Sequence, residues 1–331
     1  MDKFYNNKII ISEIKNQTDL ISGVKESLDK ISELINSRLT MQIKNKNYIE
    51  PIVRFREGSK MLRSLLLLYT AKSTGNITGK HIIASAGIEL IHTASLIHDD
   101  IVDQSDFRRL NPTLNACWGN KTAVVLGDLV LSLGLQMFSS LNDTVVMNLV
   151  TESMETVIHG ELEQLCAGLP SESEYISAID KKTGVLFGIS MFLGSFLNGT
   201  PCETSAKWNK AGLLIGRTFQ IMDDINDLKT TSNLKKKADT DLRNGIITLP
   251  VIYLLNTMAQ PEIDLFITAS QKPPADLIRR NIISSGALEK VRNKANCYLS
   301  EAEAILNGIA HRDMKPLFGK ICELILNEIV L

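Results

Sequence analysis

The chain has 331 residues, 44% of them hydrophobic and 22% charged, enough apolar material to bury a substantial core. The 36 Lys and Arg balance 37 Asp and Glu, and the resulting net charge of −1 supplies no field for gripping nucleic acid; no basic stretch laced with aromatics appears either. Five scattered cysteines without CxxC spacing read as small core residues of a cytoplasmic protein, and exclude a disulfide or zinc framework.

In chain order, residues 1–15 are expected to be a loose lead-in, lacking the apolar stretch of a signal peptide. From Leu20, the residues Ile21, Val24, Leu28, Ile31, Leu34 and Ile35 follow helical spacing, which fades in the polar run 44–47. Gly58 then offers a break, and Lys60 and Arg63, three apart, fall on one face of the helix predicted to start there. A cation pair at a helix N-terminus suits an anion, although a solvated basic turn reads the same way.

Helical pattern continues over 65–71 and 82–91 into the stretch that organises the chain. Leu90, Ile91, Ala94, Ile97, Ile101 and Val102 recur at three- and four-residue spacing, the mark of a helix with a buried face. Asp99 and Asp103 then stand at i and i+4 on one face, with Asp100 at the flank. Like charges at that spacing repel, so a positive partner is expected, and carboxylates one turn apart suit Mg²⁺. His92 lies two turns before Asp99, His98 has no assigned role, and Arg108 and Arg109 follow five residues after Asp103. Arginine's planar fork matches phosphate oxygens.

Asn111 and Pro112 signal a turn. Helices are predicted around 123–138 and 145–167; the apolar run 123–137 carries Asp128 and is too short to span a bilayer. Glu161 and Gln164 are polar residues on the second of these. Lys182 and Thr183 open another apolar run, and Asp223, Asp224 and Asp227 repeat the acidic spacing after a further apolar helical stretch that includes Phe219, Ile221 and Met222. Two carboxylate clusters, each ending an apolar helix, imply two walls of one site for cations and a polyanion such as a diphosphate. A polar, cationic loop follows over 228–242, and helical segments run to Leu331 with breaks at Pro261, Pro273 and Pro274. With aromatics at 5%, no alternating strand pattern and no repeats or linkers, the reading is all-α: a multi-helix bundle around a central cavity, one domain over 1–331.

These motifs together resemble the trans-isoprenyl (polyprenyl) diphosphate synthases, from about Arg54 to the Thr248-Leu249-Pro250 triplet, and look most like the octaprenyl and heptaprenyl types. The resemblance implies a dimer, most simply a homodimer with a heteromer as the alternative, and a reaction in which isopentenyl diphosphate is added to an allylic diphosphate primer of farnesyl or geranylgeranyl type. It implies that Asp99, Asp100, Asp103, Asp223, Asp224 and Asp227 form the metal site, holding a cluster of about three Mg²⁺ ions. Lys60, Arg63, His92 and Arg109 would bind isopentenyl diphosphate; Arg108, Lys182, Thr183, Gln220 and Lys236 would serve the allylic diphosphate. The family's aromatic plug is missing at Ala94 and Ser95, five and four residues before Asp99; one helical turn, about 5.4 Å, is roughly one isoprene unit, so products of about C30–C50 are expected. The sequence departs from the family at Ser59, Ser64, Lys235 and Ile246. A C20-type synthase, a terpene cyclase and a non-catalytic regulatory subunit of a heteromeric synthase are the alternative readings.

Overall fold

A computed structural model describes residues 18–56, 59–108, 111–166, 168–229, 246–259 and 275–326. The long helices are α1 (Thr18–Gln42), α2 (Lys46–Arg56), α3 (Leu62–Thr74), α4 (Gly79–Val102), α5 (Leu114–Ser139), α6 (Thr144–Cys166), α7 (Glu172–Ile179), α8 (Val185–Phe196) and α9 (Cys202–Lys229). Beyond them come α10 (Leu249–Leu255), α11 (Ala275–Ser284), α12 (Ala287–Ile309) and α13 (Lys315–Leu326). The protein is an all-α bundle, as its periodicity predicts.

Two helices have no exposed side through most of their length: Leu62 to Ala71 of α3 and Leu186 to Ser195 of α8 are all buried. A helix apolar all round belongs at the centre of a bundle. Around this pair the other helices show one buried stripe each, as in α1 with Val24, Leu28, Ile31, Ile35 and Leu39. Helices α8 and α9 pack backbone to backbone, because a Cβ on Gly212 would lie 2.6 Å from the Phe187 carbonyl oxygen. Trp208 and Tyr69 both pack on Phe318, with ring centroids 5.6 and 6.3 Å apart. That trio ties α13 to α9 and α3.

Three local expectations change. Lys60 and Arg63 do not share a helix face, because Met61 adopts a left-handed conformation (φ 46°, ψ 40°) and α3 begins only at Leu62. Asn111 and Pro112 are not the turn itself. They pair antiparallel with Phe107 and Arg108 as a two-residue hairpin, β1 (Phe107–Arg108) with β2 (Asn111–Pro112). The apolar run 123–137 is part of the 26-residue α5, which contains non-helical Gly119 (φ 78°). Among the described residues α5 alone is long and apolar enough to cross a bilayer, a property that core helices share. It lies along α4, and its Asp128 is 3.4 Å from the His98 ring.

Candidate active site

Asp99 and Asp103 sit at the C-terminal end of α4, where the Asp103 N–H donates to the Asp99 carbonyl and keeps the i, i+4 geometry. His92, Ser95, Asp99 and Asp103 form a partly exposed stripe on this helix. Ile91, Ala94 and Ile97, between those positions, are buried. Burial pushes the Asp99 carboxyl up to about 6; Lys182 pulls against that rise, and Glu161 adds to it. Asp103 is raised too, again by burial first.

Lys182 answers the charge. Its ammonium is 2.6 Å from Glu161 Oε2 and donates to Gln164 Oε1 at 3.0 Å. Burial lowers its affinity for a proton, but Asp99 and Glu161 outweigh that and hold it above the ordinary lysine value. One lysine faces three carboxylates here. The surplus negative charge, partly stripped of water, is an environment for a divalent cation. Among the described residues no three acidic, His or Cys side chains are disposed to hold a metal by themselves.

The two acidic motifs share a pattern that spacing did not reveal. In each, the second aspartate is buried and bound to protein. Asp100, 1% exposed, accepts from Arg108 Nε and Nη2 at 3.0 and 2.8 Å. Asp224, 5% exposed, accepts from the Tyr175 hydroxyl at 2.5 Å and from Gln220 Nε2 at 2.9 Å. Asp223 is exposed and Asp227 partly so. The first and last aspartates of each motif therefore keep some exposure, while the middle ones are buried and anchor neighbouring side chains.

Lys182 and Thr183 do not begin α8, as the apolar run suggested. They lie in a π-helical turn, Asp180–Gly184, between α7 and α8. Such turns interrupt helices frequently at functional sites. The Thr183 hydroxyl donates to Gln220 Oε1 at 2.7 Å, and Gln220 passes the chain on to Asp224. Adjacent residues of one turn thus act on the first carboxylate cluster, through the charge of Lys182, and on the support of the second, through the Thr183 hydroxyl.

At the other side, Arg63 is 9% exposed with its guanidinium 4.6 Å above the Phe187 ring. The Ser64 N–H and hydroxyl both donate to Glu89 Oε1, at 3.2 and 2.9 Å, so the helix that carries His92 also caps the start of α3. Lys60 is partly buried. Arg109 and Lys236 lie outside the described residues, as does Lys235. Tyr175, Asp180, Arg217 and Glu89 were not anticipated as contributors; each is an ordinary residue until its partner in the fold is known.

The family model "Polyprenyl synthetase" matches residues 46–280. The chain belongs to the polyprenyl synthetase family. Among this family's curated members, octaprenyl diphosphate synthase of Escherichia coli (strain K12) is 30% identical over 257 residues, covering 75% of this chain and 80% of that protein. A decaprenyl diphosphate synthase from Rhodobacter capsulatus superposes with a TM-score of 0.86 at 26% identity, covering 94% of this chain and 98% of that one. A polyprenyl synthase from Caulobacter crescentus CB15, solved in complex with calcium and isoprenyl diphosphate, gives a TM-score of 0.84 at 25% identity and covers 93% and 96%. As a polyprenyl synthetase the chain is a trans-prenyltransferase.

Proposed function

We propose that this synthase condenses isopentenyl diphosphate head-to-tail with an allylic diphosphate of farnesyl or geranylgeranyl type, giving an all-trans product of about C30–C50, set by pocket depth at about 5.4 Å per helical turn. The observation that carries this reading is the π turn, whose Lys182 and Thr183 address both carboxylate walls. Asp99 and Asp103, with Asp223 and Asp227 opposite, would hold Mg²⁺, a group of about three ions shared with the diphosphate. Bound Mg²⁺ supplies neutralisation of the leaving diphosphate. Asp100 and Asp224 have a supporting role: they hold Arg108 and Gln220 toward the allylic diphosphate.

The remaining residues orient and shelter. Lys182 and Arg108 bind the allylic diphosphate, with Lys236 assigned by resemblance. Thr183 and Gln220 present fixed dipoles to positive charge developing on the allylic carbon. Lys60, Arg63, His92 and Arg109 hold isopentenyl diphosphate with its double bond at that carbon. The apolar surroundings exclude the water that would quench the cation. The lost proton leaves on the released diphosphate. The chain works in the cytoplasm as one domain. A homodimer is the simplest assembly, because Val125 of α5 and Ile158, Leu162 and Leu165 of α6 are exposed apolar residues that a partner would cover.

The test is incubation with Mg²⁺, farnesyl diphosphate and radiolabelled isopentenyl diphosphate, followed by sizing of the dephosphorylated products. A ladder ending at about C30–C50 is expected. Products ending at about C20 would move the pocket floor upward by two or more turns. Absence of turnover, restored by a second subunit, would replace this reading with the regulatory one.

A pH dependence follows from Asp99. Its ordinary value is 3.8 and its folded value about 6. Between these the folded apo protein holds a proton that the unfolded chain lacks, so Asp99's contribution to stability is lost as pH rises through that window. A cation reverses this only where Asp99 is ionised. Mg²⁺ with inorganic diphosphate should therefore raise Tm markedly at about pH 7.5 and little at about pH 5. Equal shifts at both would remove Asp99 from the metal set.

A further inference from the structure

The π turn needs a reason to exist. It fits one residue more than an α-helical turn, and an extra residue rotates the following chain by about 100°. Within it Lys182 and Thr183, one residue apart, are directed toward different partners, Glu161 and Gln220. Three features surround it. A Cβ on Gly160 of α6 would stand 2.7 Å from Lys181 Cβ and 3.1 Å from Lys182 N, so α6 can lie against the widened backbone only as glycine. Lys181 reaches Glu163 on the same helix at 2.5 Å, beside the Glu161 and Gln164 that Lys182 reaches.

The third feature is at the first residue of the turn. Asp180 accepts from Arg217 Nε at 2.7 Å and from Arg217 Nη2 at 2.6 Å, a two-pronged pair. Both side chains are largely sheltered, at 22% and 16% exposed. The Arg217 guanidinium also lies 4.4 Å above the Tyr298 ring of α12. Arg217, Gln220 and Asp224 follow at three- and four-residue steps along α9, so they share one face. That face grips Asp180, Thr183 and Tyr175 in turn. The last two grips were assigned above to the site; the first was given no role there.

We infer that Asp180 and Arg217 are positioning residues of the prenyltransfer site, setting the rotation of the π turn and through it the aim of Lys182 and Thr183 at the allylic diphosphate. The inference rests on the reading that those two residues serve the allylic substrate. Their role would be indirect, exercised through the turn, since Asp180 and Arg217 pair with each other. Geometry, not charge, is what the pair provides: two parallel N–H···O bonds and a stacked ring fix orientation in a way one flexible ammonium does not.

Arg217→Lys separates these contributions, since it keeps the charge and loses the fork. The expected result is a KM for farnesyl diphosphate raised about tenfold, an unchanged KM for isopentenyl diphosphate, and a Tm close to that of the unaltered protein. Asp180→Asn should move the same constant in the same direction. Lys210→Met, which breaks an exposed pair with Glu301, should move neither. Binding is read separately as the Tm increase given by Mg²⁺ with farnesyl thiolodiphosphate, a primer that reacts poorly; that increase should shrink in Arg217→Lys. If the unaltered protein binds the probe and both variants bind and turn over equally well, the inference fails while the functional reading stands. Equal loss for both substrates, tracking a fall in Tm, overturns it as well, leaving a structural ion pair. If the unaltered protein neither binds the probe nor turns over, both fall.

Discussion

Asp99→Asn should lower turnover by about 10³-fold, the scale of removing a principal electrostatic contact to developing charge. It should leave Tm unchanged or raised. The reason is that Asp99 is a desolvated carboxylate among Asp103 and Glu161, pushed up to about 6 by burial, so a neutral side chain relieves the apo protein. Asp100→Asn, one residue on, is expected to behave differently. Asp100 is 1% exposed and holds two N–H groups of Arg108. Removing its charge leaves a guanidinium, itself 26% exposed, without its counter-ion. A fully buried pair would lose about 3–5 kcal/mol when broken; screening at Arg108 reduces that to about 2 kcal/mol. The signature is a lower midpoint in urea with turnover lost only as far as Arg108 is displaced. Kinetics and urea melts on both variants decide it, and matching profiles would remove the division of labour within the motif.

Ser95→Phe should shorten the product. Ser95 stands three residues after His92 and four before Asp99, on the same partly exposed stripe. A ring there occupies the space about one turn below the reacting carbon, and the ladder should end near C20 rather than C30–C50, a change of about two or more condensations. Ala94 was grouped with Ser95 as one pocket floor, but the fold separates them. Ala94 is 1% exposed, in the seam that α4 makes with α5. That seam has no slack, because a Cβ on Gly134 would lie 3.0 Å from Ile91 Cγ1 and 3.2 Å from the Gly87 carbonyl oxygen. Ala94→Phe is therefore expected to cost about 1–3 kcal/mol by overpacking. Product sizing for Ser95→Phe is the sharper experiment, and an unchanged ladder would place the floor elsewhere.

These expectations show which parts of the site can be read from sequence. The shared helix face of Asp99 and Asp103 was legible because the pattern is local: an apolar helix sets the face, and four residues close one turn. The bundle was legible for the same reason, from stripes such as Val24, Leu28 and Ile31. The role of Asp224 was not, because the Tyr175 that fixes it is 49 residues away. The π turn was hidden more deeply. Asp180 to Gly184 have no composition that distinguishes π from α geometry, and the contacts that surround the turn come from other helices, at Gly160 and Arg217. Lys60 was misplaced because Met61 adopts a left-handed backbone that no side-chain pattern encodes.

The contact between Ser64 and Glu89 has a mechanical consequence. Glu89 belongs to the same rod as His92, Asp99 and Asp103, and it clasps the start of α3 beside Arg63. On the proposed roles, residues serving both reactants are therefore tied together by this contact between α3 and α4. Amide hydrogens near Ser64 should accordingly exchange in step with those of α4.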